Sequence, residues 1–294
     1  MKAAAKVREL GEDRLIDQLT AGLKLGEDVV QGAGDDCAVI RLADGALQLQ
    51  KTDCMVEGVH FVAGTDAETV GRKALARAIS DIGAMGGQPQ HALVTILIDP
   101  DRSVDEVVGW YRGMARLAEE FGVSLVGGET ASTAPGESAA VLSVSLTGSV
   151  KPEQLTLRSG ASVGDRVAVT GKLGGSFDSG RHLTFAPRVK AGQWLGRYAT
   201  AMMDLSDGLA KDLSRLCLAS GVEAKLDLES LPLHDEVDLE QAMTEGEDYE
   251  LLVTLPSEFD RNEWQVAFPD LSLTVVGECV ESGGTELSGG WQHF

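Results

Sequence analysis

Strand-like and helix-like segments alternate along both halves of this 294-residue chain, and this constrains the fold most. Residues 141–147 alternate strictly between apolar and hydroxyl side chains, which predicts a half-buried strand. Residues 66–85 carry apolar side chains at helical spacing and end at Gly86-Gly87, which predicts a helix. Similar patterns predict helices at 7–24, 104–121, 209–220, 236–244 and 257–267, and strands at 37–42, 46–50, 92–98, 166–170, 224–228, 249–255 and 271–276. This alternation favours an α+β or α/β fold over a helix bundle or a sandwich.

A polar connection divides the chain into two predicted domains. Residues 151–164 contain Pro152, Gly160 and Gly164 and lie between two predicted strands. Because the chain is long enough for two cores, we predict an N-terminal domain over residues 1–150 and a C-terminal domain over residues 151–294. Within the first domain, Ser103 and Glu106 have the spacing of a capping box and predict the start of a helix.

Composition restricts the class of partner. The net charge is −21, from 25 basic and 46 acidic residues, and it opposes binding to nucleic acid or to an anionic membrane surface. The chain contains no apolar stretch near the roughly 20 residues of a membrane helix, and its N-terminus lacks the apolar core of a signal peptide, so we expect a cytoplasmic protein. The four cysteines have no Cys-x-x-Cys spacing, so each is expected to be a small buried hydrophobe rather than a zinc ligand or redox pair.

Acidic residues recur in short motifs that also contain glycine or a hydroxyl residue. Glycine lets the backbone approach a ligand closely, and carboxylates are oxygen ligands suited to Mg²⁺. If these motifs converge in space, their like charges require cations, which predicts a multi-metal site for phosphate groups. The acids concerned are Asp35, Asp36, Asp53, Asp81, Glu129, Asp204, Asp207, Glu247 and Asp248.

Each motif taken alone is a weak signal. Glycine and aspartate are common turn residues, so Gly34-Asp35-Asp36 alone is better interpreted as a hairpin turn. His60 alone could simply pack beside Phe61, and Arg158 could be a solvated linker residue or could bind a phosphate. Gly171-Lys172 does not form a Walker A loop. The repeated occurrence of such acids near predicted strand and helix ends is what favours a site over chance.

Taken in order, the motifs resemble those of the thiamine-monophosphate kinase family. The resemblance spans the chain and rests on Gly-Asp-Asp-Cys-Ala (34–38), Thr-Asp (52–53), Val-His-Phe (59–61), Ser-Asp-Ile-Gly-Ala-Met-Gly-Gly-x-Pro (80–89), Asp-Leu-Ser-Asp-Gly-Leu (204–209), Gly-Glu-Asp-Tyr-Glu-Leu (246–251) and Gly-Trp-x-His-Phe (290–294). It implies the α+β two-domain fold of the aminoimidazole ribonucleotide synthetase-like superfamily. In that fold the N-terminal domain dimerises through its sheet, so the resemblance also implies a homodimer.

The resemblance further implies direct, in-line transfer of the γ-phosphoryl group of ATP to thiamine monophosphate, with several Mg²⁺ ions and no phosphoenzyme. Transfer of this kind needs reactant alignment and charge compensation rather than a protein nucleophile, and no nucleophile stands out in the sequence. Carried over residue by residue, the implied magnesium ligands are Asp36, Thr52, Asp53, Asp81, Glu129, Asp204 and Asp207. The implied ATP contacts are Gly128, Glu129, Arg158 and Ser206, and the implied contacts to thiamine monophosphate are His60, Glu247 and Trp291. Asp35 and Asp248 are interpreted as turn residues or as partners of the ligands.

The chain departs from the family pattern at three places. Lys51 stands where serine or threonine is common, and because an ammonium cannot bind a metal, we hypothesise that it replaces a metal ion or binds a phosphate. Glu129 stands in place of aspartate, and the segment between Gly175 and Pro187 is short. The alternatives are therefore another ATP-using member of the superfamily with a different phosphoryl acceptor, and a non-catalytic module that binds nucleotide or metal.

Overall fold

The computed structural model describes residues 6–136 and 139–293, which form two sheets with flanking helices. The described helices are α1 (Val7–Leu10), α2 (Glu12–Thr20), α3 (Ala67–Ala84), α4 (Val104–Phe121), α5 (Val189–Leu195), α6 (Leu209–Ser220), α7 (Leu239–Thr244) and α8 (Arg261–Ala267), with short 3-10 helices at Arg181–Leu183 and Leu228–Ser230. The described strands are β1 (Val29–Gln31), β2 (Ala38–Arg41), β3 (Leu47–Val56), β4 (Gln88–Ile98), β5 (Ser124–Ser132), β6 (Val141–Val150), β7 (Arg166–Thr170), β8 (Ala201–Asp204), β9 (Glu223–Leu226), β10 (Leu251–Leu255) and β11 (Leu273–Val280). The predicted α+β class is confirmed.

The first sheet has six strands in the order β1-β2-β3-β6-β4-β5. Neighbouring strands are antiparallel except β4 and β5, which are parallel. Along β6, Leu142, Val144 and Leu146 are buried in the core under α3 and α4, which confirms the alternating strand predicted there. The helix predicted over residues 66–85 is α3, and the side chain of Asp66 accepts a hydrogen bond from the Thr69 amide at its start.

Two glycines let α3 and α4 pack backbone against backbone. A Cβ atom at Gly71 would lie 1.8 Å from the carbonyl oxygen of Trp110, and one at Gly113 would lie 1.8 Å from that of Glu68. Only glycine permits this approach. As a result α3 packs closely against α4 over the sheet, and it carries Asp81 near its C-terminal end.

The second sheet has five strands in the order β8-β10-β7-β11-β9, and all of its pairs are antiparallel. Strand β7 occupies the predicted residues and lies in the middle of the sheet. Val167 and Val169 pack in the core that includes residues of α6 and α7, whereas Ala168 packs in the core that includes residues of α5 and α8. The sheet is therefore covered on both faces, which explains why its central strands are continuously apolar.

Helix α5 joins the two halves, although it belongs to the second half in sequence. Val189 packs in the core of the first sheet. A Cβ atom at Gly192 would lie 1.9 Å from the carbonyl oxygen of Gly83, so α5 directly contacts the end of α3. This contact brings the end of α3 close to β8 of the second sheet.

Several local predictions were wrong. The helix predicted over residues 7–24 is two helices separated by Gly11, which has φ +82°, and Leu19 and Leu23 are exposed rather than packed. Ser103 begins α4 without a side-chain cap, so the predicted capping box is not formed. Helix α7 begins after Asp238, which accepts from the Gln241 amide, and not at residue 236. Strands β1, β5 and β8 and helix α5 were not predicted. Among the described residues no helix is both long and apolar enough to cross a membrane.

Candidate active site

Three aspartates from distant parts of the chain meet between the two sheets. Asp36 precedes β2, Asp81 lies on α3, and Asp204 ends β8. One carboxylate oxygen from each lies within 4.8 Å of the others, and all three residues are buried. The sequence prediction that these acidic motifs converge is therefore correct for these three residues.

Each of the three carboxylates has a different partner. Arg158 reaches Asp36 with two guanidinium nitrogens, one of them Nε at 3.2 Å. The Lys51 amine lies 2.7 Å from Asp81 Oδ1. The Ser80 hydroxyl donates a 2.5 Å hydrogen bond to Asp204 Oδ2. The cluster is thus built partly from carboxylates and partly from the chain's own cations.

Burial perturbs the titration of these groups. Burial, reinforced by the charge of Asp36, raises the pKa of Asp204 to about 7. Burial disfavours the charge of Lys51, but Asp81 and Asp53 outweigh it and hold the Lys51 pKa above its usual value. Similarly, burial opposes the charge of Arg158 while Asp36 raises its pKa. The cluster therefore favours cations and penalises unpaired negative charge.

The donor set fits a hard divalent cation. Asp36 Oδ2 is buried and has no hydrogen-bond partner in the described part of the chain, and the Asp36 side chain is 0% exposed. An orphaned carboxylate oxygen is costly unless a cation or water satisfies it. One oxygen each from Asp36, Asp81 and Asp204 lies in the group, and these are the oxygen ligands that Mg²⁺ prefers.

Strand β3 presents Asp53 and Thr52 to opposite faces of the first sheet. Asp53 lies on the side of α3, where its Oδ2 is 3.0 Å from Arg77 Nε. Thr52 is exposed on the other face, beside Ser145 at 3.4 Å. Neither belongs to the group formed by Asp36, Asp81 and Asp204 among the described residues.

Gly128 and Glu129 lie on β5, at the edge of the first sheet, and not in a turn. Glu129 is paired with Thr95 of β4, and both β4 and β3 border β6, so β5 lies three strands from β3. Three strand spacings amount to roughly 14 Å. Glu129 is exposed and does not belong to the group of three aspartates among the described residues, so the convergence expected of all the acidic motifs does not extend to Glu129 within one chain.

Asp207 is also outside the group of three and is held by two cations. Lys211 lies 3.0 Å and Arg215 lies 2.6 Å from Asp207 Oδ2. Burial would raise the pKa of Asp207, but these two cations hold it below its usual value. Ser206 lies in the same turn, where its amide donates to Asp212 Oδ2. Helix α6 begins after Gly208 without a side-chain cap, and Asp212 from its first turn accepts from the amides that precede it.

His60 lies between Trp291 and a buried lysine, and this lysine also contacts Glu247. The ring centroids of His60 and Trp291 are 5.8 Å apart. Lys73 is fully buried, and its amine donates to the His60 carbonyl oxygen at 2.7 Å and lies 2.5 Å from Glu247 Oε2. Glu247 has φ +70°, an uncommon backbone conformation for a residue with a side chain. The last residue of the C-terminal motif, Phe294, lies outside the described residues.

Sequence reasoning singled out Lys51 and Arg158 but missed four other cations around the site, Lys73, Arg77, Lys211 and Arg215. Lys73, Arg77 and Asp81 recur at four-residue intervals on α3, so they share one helix face. That spacing was the available signal for Lys73 and Arg77. Lys211 and Arg215 similarly lie four and eight residues after Asp207, so their spacing also indicates proximity.

Comparison with known proteins shows the same two-part organisation. Residues 34–150 match the family model of AIR synthase related protein, N-terminal domain, and residues 179–290 match that of the C-terminal domain. The thiamine-monophosphate kinase of Aquifex aeolicus is 33% identical over 98% of this chain and 100% of the relative. That of Bacillus subtilis is 33% identical over 92% of each chain.

Solved structures agree with these matches. The structure of AaThiL complexed with AMPPCP and TMP has a TM-score of 0.86 to this chain, with 31% identity and 99% of both chains covered. The hydrogenase maturation protein HypE of E. coli shares only the fold, at 17% identity and a TM-score of 0.68 over 93% of this chain and 92% of HypE. The predicted resemblance is confirmed: this chain belongs to the thiamine-monophosphate kinase family and has the AIR synthase-related fold.

Proposed function

We propose that this chain transfers the γ-phosphoryl group of ATP directly to thiamine monophosphate and so forms thiamine diphosphate and ADP. The observation that carries the proposal is the buried group of Asp36, Asp81 and Asp204, because such a group suits the charge compensation that phosphoryl transfer requires. The relatives named thiamine-monophosphate kinase and the AaThiL complex with AMPPCP and TMP support the choice of substrates.

We assign the magnesium ligands to the aspartates around this group. Asp36, Asp81 and Asp204 would hold Mg²⁺, and Asp53 and Asp207 would join them by releasing their present cation partners. Bound Mg²⁺ would supply charge neutralisation on the transferring phosphoryl group. Arg158 lies beside Asp36, where its guanidinium could also contact a phosphate of ATP. Ser206 is assigned to ATP from the same turn as Asp207.

We assign recognition of thiamine monophosphate to His60, Glu247 and Trp291. The two rings offer an aromatic surface, which suits a flat, positively charged ligand, and Lys73 links the His60 backbone to the Glu247 carboxylate. Burial, together with the charges of Arg77 and Lys73, lowers the pKa of His60 to about 4, so its ring is neutral at physiological pH. A neutral ring does not repel a cationic thiazolium group.

We propose that the active unit is a homodimer in which the partner supplies Gly128, Glu129 and Thr52. Within one chain, Glu129 lies on the edge strand β5, three strands from β3, which carries Lys51, and it is not part of the group of three aspartates among the described residues. The face of the first sheet that carries Thr52 also carries Leu93, which is 49% exposed. On β5, Val126 is 57% exposed. Two such sheets packed by a two-fold axis would bury apolar surface and bring each Glu129 toward the other chain's site.

Two further assignments belong to this proposal. Residues 1–150 and 151–294 are taken as the domains, because β6 ends at Val150 and β7 begins at Arg166 with no regular element between them. The partners are taken as small molecules rather than nucleic acid or membrane, because the net charge of −21 repels polyanions. The same acidic composition is compatible with a cytoplasmic biosynthetic enzyme.

The test is formation of thiamine diphosphate from thiamine monophosphate, ATP and Mg²⁺. We expect product from the wild type, loss of at least about 100-fold in rate for Asp204→Ala, and no change for Asp235→Ala, an exposed aspartate. ATP binding without any product would refute the kinase assignment, and phosphorylation of another acceptor only would refute the choice of substrate.

The dimer is tested by mixing two inactive variants. Glu129→Ala and Asp204→Ala would each inactivate the site to which they contribute. If each site uses both chains, remixed equal amounts should recover about a quarter of wild-type activity, because half of the dimers would contain one intact site. No recovery despite subunit exchange, measured by mass spectrometry of labelled chains, would show that the site does not use both chains.

A further inference from the structure

Lys51 occupies an unusual position for a lysine, inside the group of buried carboxylates. Its amine lies 2.7 Å from Asp81 Oδ1, and its side chain is 22% exposed. The neighbouring residues of β3, Leu49 and Met55, face the core under α3, and Lys51 projects from the same side of the strand. The amine is therefore directed at the carboxylates by the pleat of β3.

The group of Asp36, Asp81 and Asp204 needs positive charge, and an oxygen of Asp36 without a hydrogen-bond partner marks one place for it. Asp36 Oδ2 is fully buried without a hydrogen-bond partner among the described residues, while Arg158 holds the other oxygen of Asp36. Asp204 is held by the neutral hydroxyl of Ser80. Lys51 and Arg158 are thus the cations that contact the group directly, and each is attached to a different aspartate.

Asp81 Oδ1 has two lone pairs, so what opposes an ammonium and a metal ion on this one oxygen is the repulsion between the two cations. The amine has three N–H donors and no lone pair while it is protonated, so Lys51 cannot become a metal ligand. A divalent ion next to Asp81 Oδ1 would also be repelled by the ammonium at hydrogen-bond distance. Either Lys51 leaves or the ion is excluded from that position.

We propose that Lys51 is a built-in cation that replaces one divalent ion at Asp81, so that this chain binds one metal ion fewer than it would with a hydroxyl side chain at position 51. The inference rests on the proposed function, since it concerns the same metal group. Asp204 and the free oxygen of Asp36 remain available for the ions that do bind. The amine takes over the charge compensation that the excluded ion would provide.

The count of bound ions tests the proposal. Mn²⁺ would be titrated into the protein with AMPPCP, and free Mn²⁺ would be followed by electron paramagnetic resonance. Lys51→Thr removes the charge and adds an oxygen, so we expect one additional Mn²⁺ per chain, whereas Lys51→Arg keeps the charge and should keep the wild-type count. Lys225→Thr, an exposed lysine on β9, is the matched control and should also leave the count unchanged. Equal counts for the wild type and Lys51→Thr would overturn the proposal.

A crystal structure of the wild type with Mn²⁺ and AMPPCP provides a second measurement that does not depend on a variant's folding. We expect the Lys51 amine to remain on Asp81 with no anomalous Mn²⁺ peak bonded to that oxygen. A peak there, or an amine directed to a phosphate or to solvent, would overturn the proposal. Because neither measurement requires turnover, a wrong acceptor leaves both results interpretable, whereas a wild type without any Mn²⁺ or nucleotide binding would refute the proposed function as well.

Discussion

Substitution of Lys73 by methionine should be among the most damaging single changes in this protein. Lys73 is 0% exposed, and its amine contacts Glu247 Oε2 at 2.5 Å, the His60 carbonyl at 2.7 Å and His182 Nδ1 at 2.8 Å. Methionine keeps the volume of the aliphatic stem, so the effect reports on the charge rather than on a cavity. Removal of one partner leaves Glu247 as an uncompensated buried charge, which costs about 3–5 kcal/mol.

The loss of stability in Lys73→Met depends on its interaction with Glu247, and a double-mutant cycle measures this interaction. Glu247→Gln removes the stranded charge, so the double variant Lys73→Met/Glu247→Gln should regain roughly 2 kcal/mol relative to the sum of the single variants. The interaction crosses the two halves of the chain, because Lys73 lies on α3 and Glu247 precedes β10. The cycle therefore measures how strongly the two halves are coupled at the proposed substrate site.

The assay is equilibrium unfolding in urea, followed by far-ultraviolet circular dichroism and tryptophan fluorescence. Lys190→Met, an exposed lysine of α5, is the control and should change stability by less than about 0.5 kcal/mol. If Lys73→Met lowers the unfolding free energy by less than about 1 kcal/mol, or if the two single effects simply add, the Lys73–Glu247 pair does not stabilise the protein or couple its two halves.

Three further predictions concern pH and backbone packing. Burial, with the charge of Lys73, lowers the pKa of His182 to about 4 from 6.5, so the folded state binds fewer protons than the unfolded state between these values. The stability that neutral His182 contributes is complete above pH 6.5 and is lost as the pH falls toward 4. In urea titrations, the unfolding free energy of His182→Gln should therefore fall by roughly 1 kcal/mol less than that of the wild type between pH 7 and pH 5. This figure is reduced for solvent screening. Gly113→Ala should lower the unfolding free energy by about 2–3 kcal/mol in thermal melts, because its Cβ would overlap the Glu68 carbonyl oxygen. Gly128→Ala should lower the unfolding free energy by a similar amount, because its Cβ would lie 1.8 Å from the Val94 carbonyl oxygen. It should also weaken AMPPCP binding in calorimetry. Wild-type affinity would contradict the assignment of β5 to the ATP site.

Sequence reasoning was reliable where one residue pattern determines local structure. The alternation along β6 and the apolar face of α3 each follow from a single period that tertiary packing reinforces. It failed at β5, because Gly127 and Gly128, with φ of +145° and +155°, lower strand propensity. The Val94 backbone approaches Gly128 so closely that no side chain fits there, and a sequence does not show which backbone will lie opposite a glycine.

The sequence singled out three acids that lie together and two cations beside them, Lys51 and Arg158, but not which acid each cation would pair with. Asp36, Asp81 and Asp204 were expected to converge because their motifs resemble one family in order, and they do meet. Charge partners separated by long stretches of chain, such as Arg158 and Asp36, follow no local period and depend on how the two halves pack. Only the partners four residues apart on one helix were readable in advance.

These cations change how the acidic motifs should be interpreted. Like charges in a cleft require compensation, but most of the predicted ligands already have it from the chain: Asp36 from Arg158, Asp53 from Arg77, Asp81 from Lys51, and Asp207 from Lys211 and Arg215. Asp204 instead has a hydroxyl partner and a pKa raised to about 7 by burial and by Asp36. A divalent ion therefore competes with a lysine or arginine at Asp53, Asp81 and Asp207. At Asp36 one oxygen is free, and at Asp204 the ion competes only with a proton or a hydrogen bond. The number of carboxylates therefore overestimates the number of metal ions that charge compensation in this group requires.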